Sequence, residues 1–372
     1  MGRHIIRLGR ILGIPVGIDY SWFLIFFLLT WTLAVGFFPA EYKNWPTVLY
    51  WIIGALTTIM LFVSVLLHEL GHSIVAKLYK IPVRSITLFI FGGVSQIGAE
   101  PATSMSGFLI AVAGPVVSFL LAWLFYVLES PLMSFTPLLA LVKYLFYINL
   151  ALGFFNLIPG LPLDGGGVLR AILWGVTHNF RKATIIAANS GRIIAFLMIL
   201  FGLFLMFRGY FLNGLWIAFI GWFLESAAMA QVQQLRVESL LAGHRVSEVM
   251  NRNYSTVAAD APLQQIVDHH ILKQGQRALI VKRGDDIIGL LTLHRIKDVQ
   301  SQDWPVTTAA QAVIPVDQIK LLRADTGLWK ALQEMDRDGV NQLPVMEGGK
   351  ILGMLSREDI ISFLRSLDEL GQ

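Results

Sequence analysis

Between about Ile18 and Ala228 the chain returns again and again to apolar runs long enough to cross a bilayer. No other feature restricts its fold as strongly. In lipid a backbone can satisfy its polar groups only within its own helix or a closed barrel, so runs of this kind become helices. Six windows qualify: Tyr20 to Phe38, Leu49 to Lys77, Gly107 to Leu128, Leu138 to Phe155, Arg192 to Phe207 and Leu212 to Ser226. The last two are short and separated only by RGYFLN, which reads as a tight helical hairpin. A further apolar piece, Val168 to Val176, is too short to cross and reads as the fourth span resuming beyond a break. Of 372 residues 55% are hydrophobic and 15% charged, against about a quarter charged in soluble domains. From Gly243 to Gln372, by contrast, the chain reads as an ordinary soluble domain.

An even number of spans keeps both termini on one side. Arg3, Arg7 and Arg10 before the first span, Lys77, Lys80 and Arg84 after the second, and Arg170, Arg181 and Lys182 after the fourth share one face under this count. The positive-inside rule makes that face cytoplasmic, with Lys43 and Arg208 opposite. The expected location is therefore the cell membrane, multi-pass, with the soluble tail in the cytoplasm. The start, MGRHIIRLGRILGIP, lacks a small-residue cleavage site and does not read as a removable signal peptide. Net charge is +4 and the bases are scattered, which fits lipid headgroups and gives no nucleic-acid footprint. Between spans two and three, IPVRSITLFIFGGVSQIGAEP has the β-branched residues and the Gly92-Gly93 pair of a strand hairpin. Bare strand edges cannot face lipid, so this hairpin belongs at the surface, in a cavity, or against an added strand.

The second span carries SVLLHELGHSIVAKL, in which His68, Glu69 and His72 sit in oil. An acidic group at a helix centre costs about 2.5–3.5 kcal/mol to insert, so something must compensate. Histidines four apart project from one helix face, which allows both imidazoles to bind one Zn²⁺. Glu69 beside them can take a proton from an attacking water that a bound Zn²⁺ acidifies. Two interfacial histidines with a snorkelling glutamate are the plainer alternative, and the insertion cost weighs against it. A catalytic zinc needs a third ligand and an open position. The chain has no cysteine, which removes thiolate ligands, disulfides and a cysteine nucleophile together, and no further histidine lies in a span. A carboxylate remains, and Asp164 lies in NLIPGLPLDGGGVLR, whose prolines and glycines would break a helix. Asp164 could instead be a loop aspartate capping the next helix.

HELGH in a span followed by FNLIPGLPLDGG resembles the site-2 proteases, the zinc intramembrane metalloproteases, over about Gly17 to Ala228. The resemblance implies His68, His72 and Asp164 as zinc ligands and Glu69 as the catalytic glutamate. It implies that Asn156, opening the N-x-x-P-x-x-x-x-D-G pattern, holds the substrate or its oxyanion, which suits a side-chain amide donor. It also implies a membrane-associated β-hairpin at FGGV that pairs with an unwound substrate strand. In AGPVVS the family often carries asparagine where Ser118 stands, and Ser118 receives no role from the likeness.

The tail repeats itself. VSEVM near Val246 answers to AAQAVI near Ala309, and RALIVKRGDDIIGLLTLHRI to NQLPVMEGGKILGMLSREDI. Such a duplication gives a pseudo-symmetric α/β pair with one shared core. It resembles a pair of CBS domains, modules that often bind adenine nucleotides. GMLSREDI matches the S/T-x-x-D pattern, which implies Ser356 on phosphate and Asp359 on ribose for ATP or AMP. The first repeat has Thr292 but Arg295 where the aspartate would be. Two ligand-free repeats serving as a homodimer contact are an equal alternative.

The expected fold is thus a polytopic α-helical membrane protein of six transmembrane helices, one broken, with a membrane-associated β-hairpin and a cytoplasmic α/β CBS pair. The expected limits are 1–230 for the protease domain, 231–245 for a linker helix, and 246–300 and 306–368 for the CBS repeats. The expected activity is zinc-dependent cleavage of transmembrane or membrane-tethered protein substrates near the cytoplasmic side. A CBS-regulated ion or metal transporter is the rival, since intramembrane ionisable groups also line ion paths. A transporter does not require two histidines four apart with an adjacent glutamate. A serine protease lacks its motif, because ANSG around Ser190 wants a first glycine, and an aspartyl protease lacks a partner for Asp164.

Overall fold

The fold was obtained as a computed structural model describing residues 5–348 and 350–370; Arg3 of the basic N-terminus lies outside them. The chain forms two compact units that divide after Gln233. Six helical segments among the described residues are long and apolar enough to span a membrane. The first runs Ser21–Glu41 and comprises α1 (Ser21–Trp31), a widened π turn over Thr32–Phe37, and α2 (Phe38–Glu41). The others are α3 (Thr47–Leu78), α4 (Ser104–Glu129), α5 (Thr136–Asn156), α7 (Phe180–Phe207) and α8 (Phe211–Leu241). The shorter α6 (Asp164–Thr177) follows α5 after a seven-residue turn region.

Two of these helices outrun the apolar windows by more than ten residues. α7 begins at Phe180, twelve residues before Arg192, because Asn179 caps it by accepting the Lys182 N–H at 2.8 Å. Arg192 continues inside the helix with Glu225 of α8 at 3.6 Å from it. α8 likewise runs past Ser226 to Leu241 and absorbs most of the expected connector.

Four strands lie beside this bundle in the order β1 (Ile5–Ile11), β2 (Ile14–Asp19), β3 (Val83–Phe89) and β4 (Gly92–Ile97). β3 and β4 form an antiparallel hairpin, with Leu88 opposite Gly93 and Ile86 opposite Ser95. The N-terminal hairpin β1–β2 has no counterpart among the sequence expectations. Its turn has Leu12 and Gly13 at positive φ, and Lys77 Nζ at the end of α3 donates to the Leu12 carbonyl at 2.7 Å. β2 then pairs parallel with β3, Val16 opposite Ile86. Buried Ile14 and Ile86 press on Leu70 of α3, which seats the sheet on the helix that carries HELGH.

The second unit contains the sheets β5 (Thr256–Ala258), β6 (Ala278–Arg283), β7 (Asp286–Thr292) and β8 (Ile314–Pro315), and separately β9 (Gln342–Glu347) with β10 (Lys350–Ser356). The hairpins β6–β7 and β9–β10 are the two copies of the repeat. Its two cores exchange their leading segments. Val246 and Met250 pack with Leu343, Val345 and Leu355 of the second copy, while Ala309 and Ala312 pack with Leu279, Val281 and Leu291 of the first. Ile280, Leu290, Ile351 and Met354 form a further cluster joining the hairpins. The copies are therefore interlocked, and neither buries its apolar face alone.

Candidate metal centre

α3 places His68 and His72 one turn apart on the same face, both nearly buried at 4% and 6% exposure. The intervening Gly71 of HELGH meets α4: a Cβ there would lie 2.9 Å from Val117 Cγ2 and 3.0 Å from the Ala113 carbonyl. Only a residue without a side chain permits that approach. α4 answers with Gly114, where a Cβ would sit 2.2 Å from His72 Nε2 and 2.6 Å from His68 Nε2. The two glycines bring the helices together while leaving room around the imidazoles.

Asp164 comes from the other side. α5 ends at Asn156, and the turn from Leu157 to Leu163 leads into α6, which Asp164 opens. This turn is seated on α7, where the Leu161 N–H donates to the Ala187 carbonyl at 3.0 Å and a Cβ on Gly191 would fall 1.9 Å from the Leu161 carbonyl oxygen. The result brings three ligand-type groups together across ninety-six residues. His68 Nε2 lies 3.0 Å from Asp164 Oδ2, His72 Nε2 lies 3.2 Å from Asp164 Oδ1, and the two imidazole Nε2 atoms are 3.3 Å apart. Among the described residues this is the one group of three or more such side chains that could hold a metal.

The spacing suits Zn²⁺. Ligand atoms about 2.0–2.1 Å from a tetrahedral zinc are about 3.3 Å from one another, close to the three distances here. The remaining ring nitrogens agree. His72 Nδ1 lies 2.6 Å from the Ile110 carbonyl, an acceptor only, so that nitrogen carries the proton and Nε2 keeps its lone pair for a cation. His68 Nδ1 lies 2.8 Å from Ser118 Oγ, which is fully buried on α4. Ser118 is a residue the sequence reading left without a role, because its contact with His68 crosses from α4 to α3 and spacing along the chain does not specify it. Replacing it by alanine removes the partner that orients His68. Ser118→Ala is expected to weaken zinc binding roughly 10–100-fold in a chelator competition, as for other outer-sphere partners of metal-bound histidines. Unchanged affinity would leave Ser118 a packing residue only.

Glu69 is adjacent to both imidazoles, with β4 packed on it: a Cβ on Gly93 would lie 2.5 Å from Glu69 Cγ. Asn156 is half-buried at the end of α5, eight residues before Asp164. A second buried amide on α5, Asn149, donates to Ser64 Oγ at 3.2 Å and ties that helix to α3 one turn before His68. In the second unit Ser356 and Asp359 bond each other. The Ser356 hydroxyl donates to Asp359 Oδ2 at 2.6 Å and accepts the Asp359 N–H at 3.1 Å, a reciprocal cap on the helix Arg357–Glu369. Thr292 caps its own short helix by accepting the Arg295 N–H at 3.4 Å.

Comparison with known proteins places these features in a family. The model of Peptidase family M50 matches residues 56–134 and 129–201, and that of the CBS domain matches 246–301 and 312–366. A Mycobacterium tuberculosis protein that bears the zinc metalloprotease name, Rip3, is 34% identical over 363 residues, 96% of this chain and 92% of its own. A zinc metalloprotease of Methanocaldococcus jannaschii is 29% identical over 365 residues, 98% of this chain and 97% of its own. The solved site-2 protease of Methanocaldococcus jannaschii is 32% identical, with a TM-score of 0.44 over 62% of this chain and 95% of that one. With likeness extending over nearly its whole length, the chain belongs to peptidase family M50, the site-2 proteases, as a zinc metalloprotease that carries a pair of CBS domains.

Proposed function

We propose that the protein is an intramembrane endopeptidase that cuts transmembrane or membrane-tethered protein segments near the cytoplasmic side, with His68, His72 and Asp164 as its zinc ligands. The observation that carries this reading is the tetrahedral spacing of those three side chains between α3 and the start of α6. A bound Zn²⁺ supplies Lewis-acid activation of the attacking water and of the scissile carbonyl. Glu69 acts as general base: it takes a proton from the water as the oxygen–carbon bond forms, and returns it to the leaving amine as the carbon–nitrogen bond breaks. Asn156 donates its side-chain amide to the developing oxyanion or to the substrate backbone. A helical peptide bond is shielded, so the substrate must unwind, and the outer edge of β4, which pairs with no further strand among the described residues, offers it a strand to pair with.

Orientation rests on charge. Arg7, Arg10, Lys77, Lys80, Arg84, Arg170, Arg181 and Lys182 fall on one face under a six-span count, which makes that face, both termini and the CBS pair cytoplasmic. Reconstitution separates this reading from a transporter. Proteoliposomes should cleave an inserted single-span reporter in a manner abolished by Glu69→Gln; ion or metal flux without cleavage would replace the protease by the transporter.

The CBS pair is proposed to bind ATP or AMP through Ser356 and Asp359 and to adjust proteolysis to nucleotide levels. Their mutual cap means that a ligand would displace existing hydrogen bonds. Calorimetry on the full chain should detect ATP or AMP, with weaker binding in Asp359→Ala. No heat of binding would leave the repeats as a ligand-free module, with homodimer contact as their remaining use.

A further inference from the structure

Glu69 shares a face of α3 with Ser73, one turn on. Four residues of helix advance about 6.0 Å, and two residues of strand advance about 6.6–6.8 Å. A strand lying along a helix can therefore match residues i and i+4 of the helix with j and j+2 of its own. α3 and β4 do this at two successive points. Gly93 lies against Glu69, so closely that a Cβ would be 2.5 Å from Glu69 Cγ, 3.2 Å from its carboxyl carbon and 3.2 Å from Oε1. Two residues on, Ser95 Oγ lies 2.7 Å from Ser73 Oγ. Ser73 is fully buried, and a hydroxyl in that position needs its partner.

We propose that Ser73 and Ser95 are positioning residues: their hydrogen bond fixes the register of β4 on α3, so that the Gly93 backbone packs against Glu69 and holds its carboxylate beside the metal ligands. Neither serine touches the ligands' coordinating atoms in this role, and the zinc site is completed by α4 and α6 without them. The neighbouring rungs are specific to this register. A slip of β4 by one residue would bring exposed Val94 where Gly93 lies, and its side chain would meet Glu69.

The role in catalysis rests on the protease reading, so the test has one arm that does not. Hydrogen exchange on the zinc-loaded full chain should show amides of 92–97 exchanging at least tenfold faster in Ser73→Ala and in Ser95→Ala, with zinc content unchanged. Cleavage of the single-span reporter should fall about tenfold in kcat for each variant, and the double variant should lose no more than either single, because one bond is removed once. Ser95→Thr, which keeps the hydroxyl, should restore most of both signals. Gly93→Ala should lower kcat further while zinc content holds. Exchange at 92–97 indistinguishable from wild type would overturn the clasp. Faster exchange with wild-type kcat would overturn its part in positioning Glu69. Failure of the zinc-loaded wild-type chain to cut the reporter would instead count against the protease reading and leave the exchange result standing.

Discussion

Asp164→Ala, purified from membranes, is expected to lose stoichiometric zinc and all cleavage, while remaining a folded membrane protein. The carboxylate is the only anionic member of the cluster and reaches both imidazoles, at 3.0 and 3.2 Å. Its removal leaves two neutral nitrogens and takes away the one anionic donor among the three groups that would hold a divalent cation in a poorly hydrated place. The loss of affinity should exceed the roughly 10–100-fold expected at Ser118, because a ligand is removed rather than its orientation. Asp164→Asn keeps shape and hydrogen bonding but not charge, so it should fall on the same side. Metal analysis of both variants beside wild type decides the matter: full zinc occupancy in either would remove Asp164 from the ligand set.

Glu69→Gln is expected to separate metal from chemistry. The amide cannot accept the proton of the attacking water, yet it fills the same space under Gly93 and leaves His68, His72 and Asp164 untouched. Zinc content should therefore stay at the wild-type level while kcat falls by about 10²–10⁴, the usual worth of a positioned general base. Loss of zinc together with activity would make Glu69 structural. A pair of variants, one emptying the site and one silencing it while full, is a stricter test of the assignment than either alone.

How much of this was legible in the sequence depends on how local the physics is. The histidine pair is local: four residues of helix set both imidazoles on one face whatever else the chain does. Asp164 was reached because prolines and glycines in an apolar run advertise a broken helix, and broken backbone inside a bundle surrounds something polar. Ser118, Gly114 and the Ser73–Ser95 bond were not legible, because each acts across a helix–helix or helix–strand contact that spacing alone does not specify. The hairpin β1–β2 was missed for a related reason. Its sequence, IIRLGRILGIPVGID, alternates weakly, and it becomes part of a sheet through pairing of β2 with β3, some seventy residues away. The ends of α7 and α8 lie beyond their apolar windows because the helices continue through polar flanks, Phe180 to Gly191 and Ala227 to Leu241, which hydropathy leaves out. In the tail the repeat was plain, but the exchange of Val246 and Ala309 between the two cores was not, since it concerns which copy each segment packs on.

The central claim is that the cluster at His68, His72 and Asp164, with Glu69, cuts proteins in the membrane. Quantitative membrane proteomics comparing cells that carry the wild-type chain with cells that carry Glu69→Gln tests it most directly. The account predicts that a small set of uncut membrane-spanning or membrane-tethered segments accumulates in the Glu69→Gln cells and is cleared, with cytoplasmic fragments released, when the wild-type chain is restored. Identical membrane proteomes in the two strains, with both proteins expressed and loaded with zinc, would contradict it.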